Sequence, residues 1–296
     1  MKLGYPVINL GLGVTSSHTF RLALLSEEKL FNIVRKNLDA LEETVRWNIE
    51  HNLLFYRISS NLIPFASHLN MDIAWQTKFA PDLARIGQYI KDNHMRISMH
   101  PGQFVVINSP NGSVYANSVR ELQYHADILD LLQLDSTHKI QFHLGGLHGD
   151  AEGSREVFIQ RYNALSDAIR SRLVIENDER FASVQECFEL SKRCGIPVLF
   201  DTLHHEVKND GETILAGLKK AMSTWGETNG IPMIDYSNQN PYKRVGAHAE
   251  TIDVEKFRSF VRSLKGKDID IMFEIKNKEA SALQAQIVLE GVRKIF

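Results

Sequence analysis

Short apolar segments alternate with longer amphipathic segments along the whole chain, and this alternation constrains the fold more than any other feature. The apolar segments are rich in Val, Ile and Phe, as buried strands are, and they lie at 3–9, 55–59, 96–100, 140–144, 173–177, 198–202, 233–237 and 271–276. The amphipathic segments are typical of helices with one buried face, and they lie at 27–51, 82–94, 114–134, 155–171, 182–194, 211–225, 253–264 and 279–293. Eight strand–helix repeats predict an α/β fold, a (β/α)₈ TIM barrel, with a doubly wound open sheet as the competing architecture.

The domain organisation follows from the same pattern. No stretch rich in Pro, Gly or Ser divides the 296 residues, so we expect a single barrel domain over residues 1–296. The longer irregular pieces, at 60–80, 101–113, 202–210 and 237–252, each follow a predicted strand. In a barrel such loops gather at the C-terminal ends of the strands, where they form the active site.

Composition and charge restrict the class of protein. With 43% hydrophobic residues, 24% charged residues and a net charge of −2, the chain is typical of a soluble globular protein without a global basic field. A single basic face remains compatible with this total. No apolar run reaches the roughly 20 residues needed to cross a bilayer, so we expect no membrane partner. Cys187 and Cys194 lie about 10 Å apart along a predicted helix, too far for a disulfide, and no signal peptide is evident, so we expect a cytoplasmic protein.

Ionisable side chains stand at the C-terminal ends of six consecutive predicted strands, or in the loops that follow. They are His100, His143, Glu176, Asp201, His204, Asp235, His248 and Glu274. Burying so many acids and imidazoles at one end of a barrel without cations would be prohibitively costly. Imidazole and carboxylate ligands suit Zn²⁺, Mn²⁺ or Fe²⁺, and at least seven ligands exceed the needs of one ion. The pattern predicts two or three divalent metal ions, with a metal-free hydrogen-bonded network as the alternative.

Several ordered stretches carry a resemblance to a known family. They are Leu3-Gly-Tyr-Pro-Val-Ile-Asn9, Tyr56-Arg-Ile-Ser-Ser60, Pro64-Phe-Ala-Ser-His68, His100-Pro-Gly-Gln103, Ile175-Glu-Asn-Asp178, Asp201-Thr-Leu-His-His205 and Gly246-Ala-His-Ala-Glu250. In these stretches, and over nearly its whole length, the chain resembles the UV damage endonucleases, an endonuclease IV-like branch of metal-dependent TIM barrels. The resemblance implies a DNA-repair hydrolase that cuts the phosphodiester immediately 5′ to pyrimidine dimers and 6-4 photoproducts, with abasic sites as a further candidate lesion.

The resemblance also implies how metal ions are held in the barrel mouth. His100 and His143 bind one ion, Glu176 bridges it to a second, and Asp201 and Glu274 complete the second site. We take Glu176, His100 and His143 as the catalytic residues. Divalent ions, with Mn²⁺ expected and Zn²⁺, Co²⁺ or Mg²⁺ as alternatives, would activate water and neutralise the leaving oxygen, so no protein nucleophile is needed.

A third ion and one departure from the family pattern complete the predicted metal site. The resemblance assigns the third ion to His204 and His248, and it places His68 beside the first ion, where a loop-end histidine without that role is the alternative. Asp235 stands where the family typically has a histidine, and Met233 stands where it often has a lysine that can be carboxylated. Aspartate can still bind a metal and favours a hard cation such as Mn²⁺, whereas methionine cannot carry a carbamate.

Residues expected to contact damaged double-stranded DNA lie in the loops at the same end. The resemblance makes Gln103 and Phe104 a pair that enters the duplex opposite the lesion, and the alternative is that Phe104 packs inward with the apolar stretch after it. A planar wedge unstacks DNA at least cost where a lesion has weakened the stack. Tyr5 and Asn9 are candidates for contact with flipped nucleotides. Candidate phosphate contacts are Lys243, Arg244, Lys276 and Lys278.

Two other function classes compete with the endonuclease. A sugar isomerase or epimerase on a related TIM barrel also binds divalent metals through His and carboxylate side chains, but it needs only one or two ions and a small closed pocket. A non-catalytic, metal-stabilised binding module would not need ligands open to one face. The large ligand set and the wedge-like loop therefore favour the endonuclease, and we expect no obligatory protein partner.

Overall fold

The computed structural model describes residues 1–293 and contains a closed barrel of eight parallel strands. The strands of the chain are β1 (Leu3–Pro6), β2 (Ile8–Asn9), β3 (Val14–Thr15), β4 (Phe55–Ile58), β5 (Arg96–Met99), β6 (Lys139–His143), β7 (Leu173–Glu176), β8 (Val198–Asp201), β9 (Met233–Tyr236) and β10 (Asp270–Phe273). Strands β4 to β10 follow one another around the barrel, and β1 pairs with both β10 and β4. The predicted TIM barrel is confirmed and the open sheet is wrong, because β1 closes the ring. Strands β2 and β3 form a separate two-stranded hairpin.

Ten α-helices occur among residues 1–293. They are α1 (Glu27–Glu50), α2 (Trp75–Asp92), α3 (Gly112–Leu131), α4 (Ala151–Asn163), α5 (Asp167–Arg170), α6 (Val184–Cys194), α7 (Thr202–Val207), α8 (Ile214–Met222), α9 (Val254–Ser263) and α10 (Glu279–Arg293). The predicted helix at 155–171 is divided into α4 and α5, and α7 lies in a stretch predicted as loop. None of the described helices is both long and apolar enough to span a bilayer.

Helix α2 begins earlier than the sequence predicts. It starts at Trp75 rather than at residue 82, and Pro81 lies inside it. A proline within a helix costs about 3 kcal/mol because a backbone hydrogen bond is lost. Trp75 and Phe79, however, are buried and pack edge-to-face on Tyr124 and Phe31, respectively. Burial of two large aromatic side chains, worth about 1.5–3 kcal/mol each, outweighs the cost of the proline.

The barrel interior is built in layers, because alternate residues of a strand point to the same side. One layer is an apolar floor, made of Phe55, Val174, Leu199, Met233 and Met272. Each floor residue is followed two positions later by a charged residue, in the same strand or directly after its end. These charged residues are Arg57, Glu176, Asp201, Asp235 and Glu274. The strand alternation therefore puts the four carboxylates among the predicted metal ligands in one layer with Arg57, at the C-terminal mouth of the barrel and above the floor.

Below the floor, a buried ion pair closes the other end of the barrel. Arg96 Nη1 donates to Asp270 Oδ2 over 2.9 Å, and both side chains are almost wholly buried. The guanidinium carbon lies 5.6 Å from the ring centroids of both Phe55 and Trp225. Arg96 also donates to the backbone oxygen of Ile231 over 2.6 Å. Since these donors have partners within the fold, we assign this end of the barrel to stability rather than to ligand binding.

This arrangement predicts that Arg96 is required for stability. In the Arg96→Met variant the Asp270 carboxylate stays buried without its partner, so we expect the free energy of unfolding in urea to fall by about 3–5 kcal/mol. Arg35→Met is the matched control, because Arg35 pairs with Asp82 at the surface, where a pair contributes about 0–1 kcal/mol. Equal losses in the two variants would contradict the role given to Arg96.

Candidate metal centre

Three groups of potential ligand atoms meet at the mouth of the barrel. Within each group every residue offers one atom, and these atoms lie within 4.8 Å of one another. The groups are His100, His143 and Glu176; Glu176, Asp201 and His204; and Asp201, Asp235 and Glu274. Because Glu176 and Asp201 each belong to two groups, the three groups form one continuous cluster. The grouping differs from the prediction for three residues. His204 groups with Glu176 and Asp201, Glu274 groups with Asp201 and Asp235, and His248 is in none of the groups formed by the described residues.

Glu176 lies between three imidazoles. Its Oε2 atom is 3.3 Å from His100 Nε2 and 3.8 Å from His143 Nε2, and its Oε1 atom is 3.3 Å from His204 Nδ1. The last residue of β6, His143, pairs in register with Glu176 on β7, which brings these two side chains together. A carboxylate that turns one oxygen to each side of a cluster has the geometry of a bridging ligand.

The imidazole of His100 is oriented by its own loop. Nδ1 lies 2.8 Å from the backbone oxygen of Pro101, so this nitrogen donates a proton there and leaves Nε2 free to face Glu176. Metal-binding histidines are commonly fixed in this way, through a hydrogen bond from the nitrogen that does not bind the metal. The buried Nδ1 atom of His143, in contrast, has no hydrogen-bond partner.

Asp201 and His204 are placed by one turn of helix. Asp201 caps the N-terminus of α7, and its Oδ1 atom accepts a hydrogen bond from the backbone N–H of His204 over 2.7 Å. Its other oxygen, Oδ2, is buried and has no partner. Burial lowers the pKa of His204, but Asp201 and Glu176 outweigh burial and raise that pKa to about 11. The site thus favours positive charge at the imidazole, where a divalent ion can take the place of the proton.

Negative charge exceeds fixed positive charge in the cluster. Burial alone raises the pKa of every carboxylate, yet the imidazoles hold the pKa of Glu176 well below its ordinary value. At Glu274, burial raises the pKa, but the positive charge of Arg57 outweighs this effect and lowers the pKa of Glu274 to about 2. Burial raises the pKa of Asp201 to about 7, and it raises the pKa of Asp235 well above its ordinary range in spite of Arg57. One guanidinium therefore does not balance the four carboxylates, three of which are buried and one partly buried.

The donor set fits divalent cations on three counts. Carboxylate and imidazole groups occur together without a thiolate, which suits Mn²⁺ or Zn²⁺. Asp201 Oδ2 and His143 Nδ1 are buried without hydrogen bonds, a costly state that an ion or ordered water relieves. The excess of negative charge would be neutralised by divalent cations. The donor set as a whole therefore fits divalent cations.

Two predicted ligands lie at or beyond the edge of this cluster. His248 Nε2 is 3.6 Å from Glu274 Oε2, and the His248 ring lies 6.4 Å from that of His204, centroid to centroid. His68 belongs to none of the three groups formed by the described residues. Its Nδ1 atom accepts from the backbone N–H of Asn70 over 3.2 Å. His68 lines a separate groove of about 680 Å³, together with His100 and other residues.

Sequence reasoning missed two residues of the cluster, Arg57 and Gln141. Arg57 is 3% exposed and donates to Asp235 and Glu274. Gln141 Nε2 donates to Glu176 Oε2 over 2.8 Å and to Asp235 Oδ2 over 2.7 Å. Both are polar residues that lie inside strands, between apolar neighbours. Strand alternation, applied to these two polar residues, could have placed them inside the barrel.

The loop after β5 presents the predicted wedge to solvent. Gln103 is exposed and the side chain of Phe104 is 58% exposed, whereas Val105 beside it is buried. The backbone N–H of Val105 donates to Gly102 over 3.0 Å and closes a tight turn around the pair. The inward-packed alternative for Phe104 is therefore wrong, and the exposed arrangement is the one that insertion into DNA requires.

Three predicted phosphate contacts line one groove with the cluster. The groove has a volume of about 460 Å³, and its walls include Gln103, Lys243, Arg244 and Lys276 together with four histidines, His100, His143, His204 and His248. Lys278 lies outside its walls, in an adjoining groove of about 350 Å³. Basic side chains thus stand beside the cluster in spite of the nearly neutral total charge.

Tyr5 and Asn9 do not reach the mouth of the barrel. They are 0% and 1% exposed. The Tyr5 hydroxyl donates to Asn48 Oδ1 over 2.7 Å and accepts from Asn9 Nδ2 over 2.8 Å, and Asn9 Oδ1 accepts from the backbone N–H of Leu12. Their positions do not support the predicted direct contact with nucleotides, because these hydrogen bonds hold both side chains against α1 and the β2–β3 hairpin.

Comparisons with known proteins identify the family of this chain. The sequence model of the family described as UV-endonuclease UvdE matches residues 2–296. The UV DNA damage endonuclease of Clostridium perfringens (strain 13 / Type A) is 36% identical over 296 residues, which are 99% of this chain and 72% of that protein. The crystal structure of SacUVDE superposes with a TM-score of 0.94 at 44% identity and covers 99% of both chains.

A D-psicose 3-epimerase from Clostridium cellulolyticum H10 has a TM-score of 0.56 at 14% identity, over 86% of this chain and 93% of the epimerase. This likeness shows the shared barrel fold alone, whereas the family match and the relative at 36% identity extend over nearly all of the chain. The chain therefore belongs to the UV-endonuclease UvdE family of UV-damage DNA-repair endonucleases.

Proposed function

We propose that this protein cuts the phosphodiester bond immediately 5′ to UV photoproducts in duplex DNA by metal-assisted hydrolysis. The observation that carries the proposal is the continuous ligand cluster, which opens into a groove lined by Lys243, Arg244, Lys276 and Gln103. Pyrimidine dimers and 6-4 photoproducts are the proposed lesions, with abasic sites as a further substrate. The proposal rests on the family membership for the lesion and on the cluster for the chemistry.

Divalent ions, with Mn²⁺ as our first candidate, would activate water for attack on phosphorus and neutralise the charge that grows on the leaving 3′ oxygen. The protein contributes a fixed set of donors. His100 and His143 offer ring nitrogens to one side of Glu176, and Asp201 and His204 offer an oxygen and a nitrogen to the other side. Glu274, with His248 beside it, extends the cluster toward the groove. We take Glu176, between the two sides, as the residue on which the reaction depends most.

Recognition of damage is proposed to reside in the loop after β5. Its turn holds Gln103 and Phe104 outward, four residues or fewer from the candidate ligand His100. An exposed aromatic ring can fill the gap left when lesion nucleotides leave the stack, a step that costs a few kcal/mol and costs least at a weakened stack. In this proposal the wedge would act close to the bond that is cut, because the turn follows His100 directly in the sequence.

The loop before His248 provides a second DNA-facing surface. Lys243 and Arg244 line the groove, and Tyr242 next to them is 95% exposed. The loop is held by its own backbone, since Asn240 N–H donates to the oxygen of Ala247 over 2.7 Å. We propose that the two cations contact phosphates and that the Tyr242 ring packs against the DNA beside them.

The bridging position of Glu176 is tested by Glu176→Gln, which keeps the side-chain volume and removes the charge. We expect the variant to fold, to lose at least one bound Mn²⁺ by elemental analysis, and to nick UV-irradiated plasmid at least about 100-fold more slowly. Glu121→Gln is the matched control, because Glu121 is also buried but belongs to none of the ligand groups of residues 1–293. Near-normal nicking by a folded Glu176→Gln protein would contradict the bridging role.

Replacing both Gln103 and Phe104 by Ala should separate recognition from catalysis. We expect normal metal content, and an affinity for photoproduct duplex lower by about 1–3 kcal/mol, the scale of base–aromatic stacking. Incision of a substrate already gapped opposite the lesion should suffer much less, because it needs no wedge. Ile287→Ala, which alters an exposed apolar residue of α10, should change neither substrate. Equal losses on intact and gapped duplex would assign the pair to the core or to the metal site.

The salt dependence of DNA binding tests the phosphate contacts. In a variant with both Lys243 and Arg244 replaced by Ala, the slope of the logarithm of the DNA-binding constant against the logarithm of the salt concentration should be less steep by about 2. Each phosphate that is no longer neutralised accounts for roughly 0.9 of this change. Fluorescence anisotropy with a labelled duplex measures this slope. The double replacement of Lys265 and Lys267 by Ala, exposed residues in the loop before β10, should leave the slope unchanged. An unchanged slope in the first variant would place the DNA elsewhere on the surface.

A further inference from the structure

A guanidinium group lies within the carboxylate cluster. Arg57 stands on β4, two residues after Phe55 of the apolar floor, and its side chain is 3% exposed. Nη2 lies 2.7 Å from Oδ1 and 2.8 Å from Oδ2 of Asp235, and it also donates to Gln141 Oε1 over 2.7 Å. Nη1 donates to Glu274 Oε1. A permanent positive charge, which cannot be lost by deprotonation, is therefore fixed among the candidate ligands.

Arg57 engages two of the three residues in the group formed by Asp201, Asp235 and Glu274. Both oxygens of Asp235 accept from Arg57, and Oδ2 accepts from Gln141 as well. Asp201 Oδ2, in contrast, is buried without any hydrogen bond. The two aspartates pair in register on β8 and β9, yet only Asp201 keeps an oxygen without a partner.

An ion bound to Asp235 would meet two obstacles. It would lie about 2.0–2.2 Å from a carboxylate oxygen and hence only a few ångströms from the guanidinium, so two positive charges would repel each other in a buried space. Binding would also compete with the charge-assisted contact that Arg57 Nη2 makes with both oxygens of Asp235. Among the described residues, Arg57 makes no hydrogen bond to a member of the group of His100, His143 and Glu176 or to Asp201 and His204, so an ion bound there would not have to displace the guanidinium.

We infer that Arg57 is the built-in cation of the third ligand group, so that this chain holds two divalent ions rather than three. Asp235 then acts as a positioning residue for Arg57 and does not bind metal. The two ions belong to the groups that share Glu176, while Arg57 neutralises Asp235 and part of the charge of Glu274. This inference rests on the metal-dependent activity proposed above and specifies how many ions that activity uses.

Metal counting tests the inference without reference to activity. Equilibrium dialysis of the full chain against Mn²⁺, followed by elemental analysis, should give two ions per chain for the wild type. Asp235→Asn should also hold two ions with Mn²⁺ affinities within about threefold of wild type, and it should melt at a lower temperature because Arg57 loses its charged partner. Asp201→Asn is the matched control, and it should lose one ion.

The Arg57→Met variant tests whether the guanidinium is what prevents a third ion from binding. Removal of the guanidinium frees the group of Asp201, Asp235 and Glu274, so a third Mn²⁺ should bind to the folded variant. The inference would be overturned if the wild type bound three ions, or if Asp235→Asn lost an ion as Asp201→Asn does. It would also be overturned if folded Arg57→Met bound only two ions. If Arg57→Met does not fold, the wild-type and Asp235→Asn counts still decide. A two-ion protein that fails to nick photoproduct DNA would instead overturn the proposed function.

Discussion

Three buried carboxylates and one partly buried carboxylate share the mouth of this barrel, and their mutual repulsion is the constraint that the rest of the site satisfies. Two unit charges 4 Å apart repel by about 4 kcal/mol at an effective dielectric constant of about 20. Glu176, Asp201, Asp235 and Glu274 cannot all stay ionised so close together unless cations lie between them. Arg57 supplies one positive charge, and its effect is seen in the low pKa of Glu274. The remaining charge creates the demand for divalent ions.

The barrel itself makes this concentration of charge possible. Each strand that supplies a carboxylate, or Arg57, carries an apolar residue two positions earlier, and those five residues form the floor. The floor and the charged layer thus come from the same strands. Met233 illustrates the connection, because it packs in the floor while Asp235, on the same strand, reaches the cluster.

The features that sequence could predict are those that depend on strand direction alone. Parallel strands end on the same side of a barrel, so six ionisable residues at predicted strand ends had to meet, and their types indicated metal binding. Pairing between distant residues was beyond such reasoning. The contact of Arg57 with Asp235 joins β4 to β9 across the lumen and depends on the stagger of the closed sheet. The burial of Tyr5 depends on Asn48 of α1, which no local pattern connects to β1. The start of α2 was missed because tertiary burial of Trp75 and Phe79 overrides a proline signal.

The floor and the Arg96–Asp270 pair beneath it close the lumen of the described barrel below the cluster. Ions and water that reach the cluster must therefore pass through the mouth of the barrel, the opening at which we propose that DNA binds. A duplex seated across that opening covers the path by which an ion would leave. On this proposal, exchange of metal with solvent should be slow for as long as DNA stays bound, and the protein would have to be loaded with metal before it binds its substrate.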